Sequence, residues 1–234
     1  MILYGKPIAE KIYRKIEKEI KGFNKKPLLA IILAGNDPAS LAYVHLKEII
    51  ANKLGVSFKI YHFVENVTQK KLEKLITDLN IDDLVSGIVV QLPLPGGINT
   101  EKIIGLVDRN KDIDGFLGGF PAPTAQAIWD IIDYYQIDIS DKKIVIVGHG
   151  RLVGQPLEQI LKDKNIAVTI CDSKTKNLKD KTLQADIMIS ATGVAGLITS
   201  EMVKPDTIVI PFGIKKEFFL YAPAHDSAIK FMKF

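Results

Sequence analysis

The stretch Ile144-Val145-Ile146-Val147-Gly148-His149-Gly150-Arg151-Leu152-Val153-Gly154 decides the reading of this chain. Four β-branched apolar residues form a strand that runs straight into a GxGxxxG spacing. Glycines there let the backbone turn tightly and approach a pyrophosphate, and the helix that follows offers free N–H groups and a partial positive charge. That helix is expected over 152–162, and a second strand, 167–171, leads to Asp172. An acidic residue about 20 positions past the glycines is where a ribose is read in such a fold. Taken alone the glycine pattern also fits a turn that binds nothing. With a strand before it, a helix after it and Asp172 in place, it reads as a dinucleotide site in a Rossmann-like sheet.

Working outward, the same alternation continues on both sides. Downstream, 187–190 and 207–210 read as further short strands. Upstream, Leu28 to Leu33 is a continuous apolar run with the length of a strand buried on both faces. Helices are expected over 7–20, 40–54 (stopping at Gly55) and 69–80, with strands over 57–63 and 85–91. The helix over 7–20 places Ile8, Ile12, Ile16 and Ile20 four apart, with a basic outer face. Strands and helices in alternation imply parallel sheets covered by helices. The glycine- and proline-rich segment 115–123 is the expected junction, and Thr124 the expected cap of a helix running to Tyr135. The fold class is therefore α/β in two domains: a parallel-sheet domain over 1–118 and a Rossmann-like dinucleotide-binding domain over 119–234.

Composition narrows the class of function. With 47% hydrophobic and 25% charged residues, the 234-residue chain can bury an ordinary core without help from disulfides or metals, and no metal site is expected. A net charge of +4, with lysines spread along the chain, does not suggest a nucleic-acid partner. A single cysteine, Cys171, fits a reducing compartment. No targeting segment or membrane-length apolar run is evident, so the expected location is the cytoplasm.

A second group of residues points to proton chemistry. Ser40, Tyr43 and Lys47 lie three and four apart, so a helix puts them on one face. A lysine there can donate or accept a proton if its surroundings tune it, although the spacing alone fits a surface cluster as well. Gln91 ends a buried strand, where side chains of parallel sheets meet ligands, or serves as a hydrogen-bonding plug. Asp114, in Lys111-Asp112-Ile113-Asp114-Gly115, is either a ligand or a turn residue.

Taken together, these segments resemble a known family. Ala34-Gly-Asn-Asp-Pro-Ala-Ser40 with Tyr43 and Lys47, Gly87-Ile-Val-Val-Gln-Leu-Pro-Leu-Pro95 and Lys111–Gly115 resemble the bifunctional methylenetetrahydrofolate dehydrogenase/methenyltetrahydrofolate cyclohydrolase family. So do Gly148–Pro156, Val168–Thr175 and Ala185–Gly193. The resemblance implies that Lys47 carries the hydrolytic proton transfer, that Tyr43 stacks on or positions the folate and that Gln91 holds Lys47. It implies a folate site of Ser40, Tyr43, Pro93 and Asp114, with Asp114 accepting from the amino-pyrimidine edge. It further implies a cofactor site of Gly148, His149, Gly150, Arg151, Gly154, Asp172, Ser173, Thr192 and Gly193, tetrahydrofolate derivatives as substrates and a homodimer.

For the cofactor two arguments oppose each other. Asp172 favours NAD, whereas Arg151, Ser173 and Lys174 together with the family's habit favour NADP, which is the expectation here.

The chain also departs from the family pattern. His149 and Gly150 stand where arginine and serine are usual, Pro123-Thr124-Ala125 where a cysteine-threonine-proline triplet is common, and the loop after Asp114 is short. After Ile214 the sequence, with His225 in it, lacks the expected proline-glycine segment and returning helix. Two alternatives therefore stand beside the bifunctional enzyme: a monofunctional dehydrogenase, and an impaired binding or regulatory homologue.

Overall fold

A computed structural model describes residues 2–194, 196–212 and 230–233, and they form two compact units. One is Glu10–Pro123; the other joins the described residues up to Ala9 with those from Thr124 onward. The expectations placed on the tail, His225 included, lie outside the described residues.

The chain begins with β1 (Ile2–Tyr4) and α1 (Lys6–Ile20). The Glu10–Pro123 unit is built on β2 (Leu28–Ala34), β3 (Ser57–Phe63) and β4 (Val85–Val90), a parallel sheet in the order β3-β2-β4. Between them run α2 (Pro38–Leu54) and α3 (Gln69–Asn80), and α4 (Thr100–Gly105) follows. The central strand explains the unbroken apolar run. Ala30 and Ile32 pack with Leu72, Ile76 and Leu79 of α3 and with Ile103 of α4. The alternating Ile31 and Leu33 pack with Val44 of α2. Every second residue thus faces one helical layer and its neighbour the other, so no position can be polar. Burying each such isoleucine stabilises the unit by roughly 1.5–3 kcal/mol.

The bounds of α2 are set locally. Asp37 caps its first turn by accepting from the Ser40 N–H at 2.8 Å, Pro38 fills the first position, and Gly55 ends it in the left-handed conformation. In α1, by contrast, Ile8 is buried while Ile12 is exposed, so the four-residue apolar spacing does not mark one fully covered stripe.

The second unit contains α5 (Pro123–Tyr134), β5 (Ile144–Val147), α6 (Gly154–Asp163), β6 (Val168–Cys171) and α7 (Leu178–Thr182). It continues with β7 (Ile187–Ser190), a 3-10 turn at Ser200–Met202, β8 (Ile208–Pro211) and β9 (Lys230–Lys233). All six strands are parallel, in the order β1-β9-β8-β7-β5-β6. The order reverses direction around β5, between β6 on one side and β7 on the other, and such a switch point leaves a crevice at the strands' carboxyl ends. Val145, Val147, Met188 and Val209 share one buried face with Cys171.

Several boundaries differ from the sequence reading by a residue or two, and two of them have a plain local cause. The helix after the glycines starts at Gly154 rather than Leu152, because residues 151–153 are spent on the turn. Thr124 is the second residue of α5 and not its cap, since Pro123, with its fixed φ, occupies the first helical position.

Candidate functional site

In the Glu10–Pro123 unit the residues expected to handle a proton converge. Lys47, four residues after Tyr43 on α2, donates from Nζ to Gln91 Oε1 at 3.2 Å. Gln91 follows β4 directly, and its backbone N–H still bonds to Ile32 O at 2.9 Å, so the sheet fixes its position. Its Nε2 donates to Leu92 O at 2.9 Å, which turns the amide so that the oxygen faces Lys47. A carboxylate in that place would add a charge; a neutral amide orients the amine without one. Ser40 Oγ lies 2.8 Å from Asp37 Oδ2 and 3.4 Å from Leu92 O, tying the start of α2 to the same strand end. Tyr43 is 63% exposed, so its ring is available to a flat ligand. Pro93, reached through a cis peptide after Leu92, is also exposed.

Asp114 arrives from another direction. The segment carrying it runs beside β4, with Ile88 N–H donating to Lys111 O at 2.7 Å. Lys111 Nζ anchors it to Leu79 O and Asp82 O at 3.0 and 2.8 Å. Burial pushes the Asp114 carboxyl above its ordinary value; the Lys47 charge opposes that shift and Asp112 adds to it. Asp112 itself is buried and accepts from the Leu117 N–H at 2.6 Å. Lys47, Gln91, Ser40 and Asp114 thus form one neighbourhood. Asp37 and Asp112, which hold its parts, were missed from sequence. The Asp-Pro-x-Ser spacing was a legible capping signal for Asp37, whereas Asp112 left none.

The glycine loop of the second unit is built on different terms. Gly148 N–H donates to Cys171 O at 2.7 Å, and Ala191 N–H to Val147 O at 2.7 Å, so the loop rises between two strand ends. Gly148 has φ +102, and a Cβ there would lie 2.6 Å from Ala191 O and 2.9 Å from Thr192 Cγ2. A Cβ on Gly154 would overlap Gly148 O. Gly150 and Gly193 meet nothing within 4 Å, leaving their backbones open to approach. Two glycines are therefore demanded by packing, and two leave room for a ligand.

The Ser190 and Thr192 hydroxyl oxygens are buried with no hydrogen-bond partner among the described residues. Orphaned donors beside a glycine cradle, at the switch point of a parallel sheet, fit a dinucleotide. Ser190 was not among the sequence candidates.

Around that loop, His149 Nε2 lies 2.7 Å from Glu158 Oε2, while Glu158 Oε1 accepts from Lys162 at 2.7 Å. Those two contacts, the lysine first, hold the Glu158 carboxyl below the usual range. Asp172 is turned into its own loop: Oδ1 accepts from the Lys174 N–H at 2.9 Å and from Thr175 Oγ1 at 3.2 Å. The Lys174 N–H is the main reason its carboxyl lies below the ordinary value. Ser173 and Lys174 are exposed beside it, and Arg151 is half-buried within the loop. No helix among the described residues is long and apolar enough to cross a membrane.

Comparison with known proteins agrees with this architecture. Residues 3–114 match the tetrahydrofolate dehydrogenase/cyclohydrolase catalytic domain, and residues 122–228 the NAD(P)-binding domain of the same family. The bifunctional protein FolD of Aquifex aeolicus is 40% identical, over 92% of this chain and 80% of its own length. The crystal structure of the bifunctional FolD dehydrogenase/cyclohydrolase from Campylobacter jejuni superposes with a TM-score of 0.85 at 36% identity, covering 90% of this chain and 80% of that one. That of the Trypanosoma brucei enzyme, complexed with NADP and an inhibitor, gives 0.85 at 27% identity, covering 90% of this chain and 77% of that one. The chain belongs to the tetrahydrofolate dehydrogenase/cyclohydrolase family.

Proposed function

We propose that this chain oxidises methylene-tetrahydrofolate to the methenyl form with a nicotinamide dinucleotide, and hydrolyses the methenyl form to formyl-tetrahydrofolate. The observation that carries the reading is the Lys47–Gln91 pair, an amine oriented by a neutral amide at a strand's carboxyl end. The dinucleotide, when bound, takes up the hydride that the methylene carbon loses. Everything else falls to the chain. Tyr43 offers an exposed ring for the pterin to lie on, with Ser40 and Pro93 at the edges of the site. Asp114 accepts from the N–H groups of the amino-pyrimidine edge, a donor-rich partner suited to a carboxylate in a half-buried place. Lys47 serves the second step: as water adds to the methenyl carbon and one C–N bond of the bridge breaks, its amine moves a proton from the attacking oxygen to the departing nitrogen. Gln91 keeps that amine in place.

The dinucleotide is held by Gly148, Gly150, Gly154 and Gly193 through backbone approach, with the Thr192 hydroxyl beside them. Its identity is NADP. The Asp172 carboxylate, the group that would favour NAD, already accepts from Lys174 and Thr175, while Arg151, Ser173, Lys174 and His149 can face a 2′-phosphate. The working form is a homodimer in the cytoplasm, joined through the dinucleotide-binding unit.

One assay tests the activity: purified protein is mixed with methylene-tetrahydrofolate and either dinucleotide, and reduced cofactor and methenyl absorbance are followed together. Reduced cofactor should form, and the methenyl-tetrahydrofolate made with it should appear only transiently as it is hydrolysed. No reduced cofactor with either dinucleotide, or methenyl-tetrahydrofolate that accumulates without decay, would refute the reading. For the cofactor, kcat/KM with NADP should exceed that with NAD, and Arg151→Ala should narrow the gap. A preference for NAD untouched by that substitution would return the decision to Asp172. Light scattering of the eluted protein checks the dimer.

A further inference from the structure

The segment that carries Asp114 is tied down at the carboxyl end of α3. Asn80, the last residue of that helix, is half-buried and spends both halves of its amide there. Its Nδ2 donates to Leu106 O at 2.7 Å, and its Oδ1 accepts from the Asp108 N–H at 2.8 Å. A donor facing a carbonyl and an acceptor facing an N–H allow one orientation of the amide, so the grip has a fixed direction. Leu106 is the capping residue at the end of α4, where carbonyls have no partner within their own helix. From Asn80 the contacts run unbroken to Asp114. Asp108 closes a turn, its Oδ1 accepting from the Asn110 N–H at 2.7 Å and its carbonyl from the Lys111 N–H at 2.8 Å. Lys111 then reaches back to Leu79 O and Asp82 O. Because α3 has no basic residue in its last turn, this amine supplies the positive charge that a helix carboxyl end favours. The Lys111 carbonyl accepts from the Ile88 N–H, which lays the segment along β4, the strand that Gln91 follows.

We propose that Asn80 is a positioning residue for the folate: by tying residues 106–108 to the end of α3, it places the Asp114 carboxylate against the Lys47–Gln91 pair and so sets the affinity for the pterin. This rests on the reading of Asp114 as the group that takes the amino-pyrimidine edge. Asn80 touches no ligand and acts through Asp114. A binding group must be held to within about 0.5 Å of its working place, and that tolerance is met by hydrogen bonds behind it. Lys111 is the second jaw of the same clamp, since it fastens the other end of the turn to the same helix end.

Steady-state constants separate this role from a general loss of structure. Asn80→Ala should raise KM for methylene-tetrahydrofolate about fivefold, half the loss expected of Asp114→Ala, while kcat and the dinucleotide KM hold. In an Asp114→Ala background the same substitution should add nothing, because a residue that acts through a carboxylate has no effect once the carboxylate is gone.

A second readout needs only the wild-type chain. The Asp108 amide proton is the one that Asn80 holds, so its exchange with solvent reports the clamp directly. By reciprocity, folate bound at Asp114 should slow that exchange, and the dinucleotide should leave it unchanged. An unchanged folate KM in Asn80→Ala, a kcat that falls with the rise in KM, full additivity with Asp114→Ala, or an Asp108 exchange rate indifferent to folate overturns the inference while Asp114 keeps its role. Folate binding by Asp114→Ala as tight as that of wild type overturns the reading of Asp114 and this inference together.

Discussion

The two candidate sites of this protein are prepared in opposite ways. Around Lys47 the polar groups already have partners: the amine on Gln91, the amide on Leu92 O, and Ser40 on Asp37. Around Gly148 the preparation consists of gaps, namely missing Cβ atoms, two glycines open to approach and two buried hydroxyls without partners among the described residues. The difference matches the roles proposed for the two sites. A proton can be moved only by a side chain held at a fixed place, so that site is cross-linked by hydrogen bonds before any substrate arrives. A large cofactor brings its own chemistry, so its site needs room and unspent donors.

The sharpest break in that contrast is Lys47→Met, which keeps the stem and removes the titratable amine. Cyclohydrolase activity should fall by about 10²–10⁴-fold, the range for a lost acid–base group, with the dehydrogenase step affected far less. Wild-type hydrolysis of methenyl-tetrahydrofolate by this variant would remove Lys47 from the mechanism.

Gly148→Ala attacks the other side. Its Cβ would stand 2.6 Å from Ala191 O at a φ unfavourable to any side chain. Dinucleotide affinity should drop roughly a hundredfold, by the arithmetic that ~2.7 kcal/mol of misfit costs two decades, and the melting temperature should fall. Hydrolysis by the other unit should persist. Gly150→Ala sharpens the point, since a Cβ there meets nothing within 4 Å. It should leave the melting temperature unchanged and disturb only dinucleotide binding. Equal thermal effects of the two substitutions would show that packing does not distinguish these glycines.

Asp114→Ala should weaken folate binding by about tenfold, from the loss of charge-assisted hydrogen bonds, and leave dinucleotide binding alone. Calorimetry with each ligand separates the two.

The smallest expected effect is a pH slope. Burial raises the Asp114 carboxyl above 3.8, so the folded chain holds this proton more tightly than the unfolded one. Stability from this group is therefore fully present below pH 3.8 and is lost as pH rises through the higher folded value. Asp114→Asn should flatten that slope in melting temperature against pH, and should leave the substrate-free protein slightly more stable at neutral pH. An unaltered slope would assign the burial effect to another carboxyl.

Much of the architecture could be read in advance because its causes are local. Gly55 ends α2 through bonds within a few residues, although the helix starts at Asp37-Pro38, two residues ahead of the expected 40, and the apolar run 28–33 is a strand because both its faces must be covered. The glycine spacing after Val147 likewise carries its meaning wherever the sheet goes. Short elements escaped: β1, α4 and α7 span too few residues for a period to show. Thr124 misled because Pro123 competes for the same helix end and wins.

By itself, then, the sequence determined the element types, the position of the glycine loop and the placing of Ser40, Tyr43 and Lys47 on one helix, since each depends on spacing and on the chemistry of single side chains. Only the tertiary structure decided the strand order, which puts β1 in one sheet with strands from the far end of the chain. It gave the Lys47–Gln91 pairing across 44 residues, which only the family resemblance had offered, a hydrogen bond. It alone seated His149 on Glu158, turned Asp172 into its own loop and left the Ser190 hydroxyl without a partner among the described residues. The physical reason is common to all of these. Parallel strands pair through backbone groups that every residue carries, and a polar side chain takes whichever partner folding brings within about 3 Å, so neither choice leaves a mark in the order of the residues.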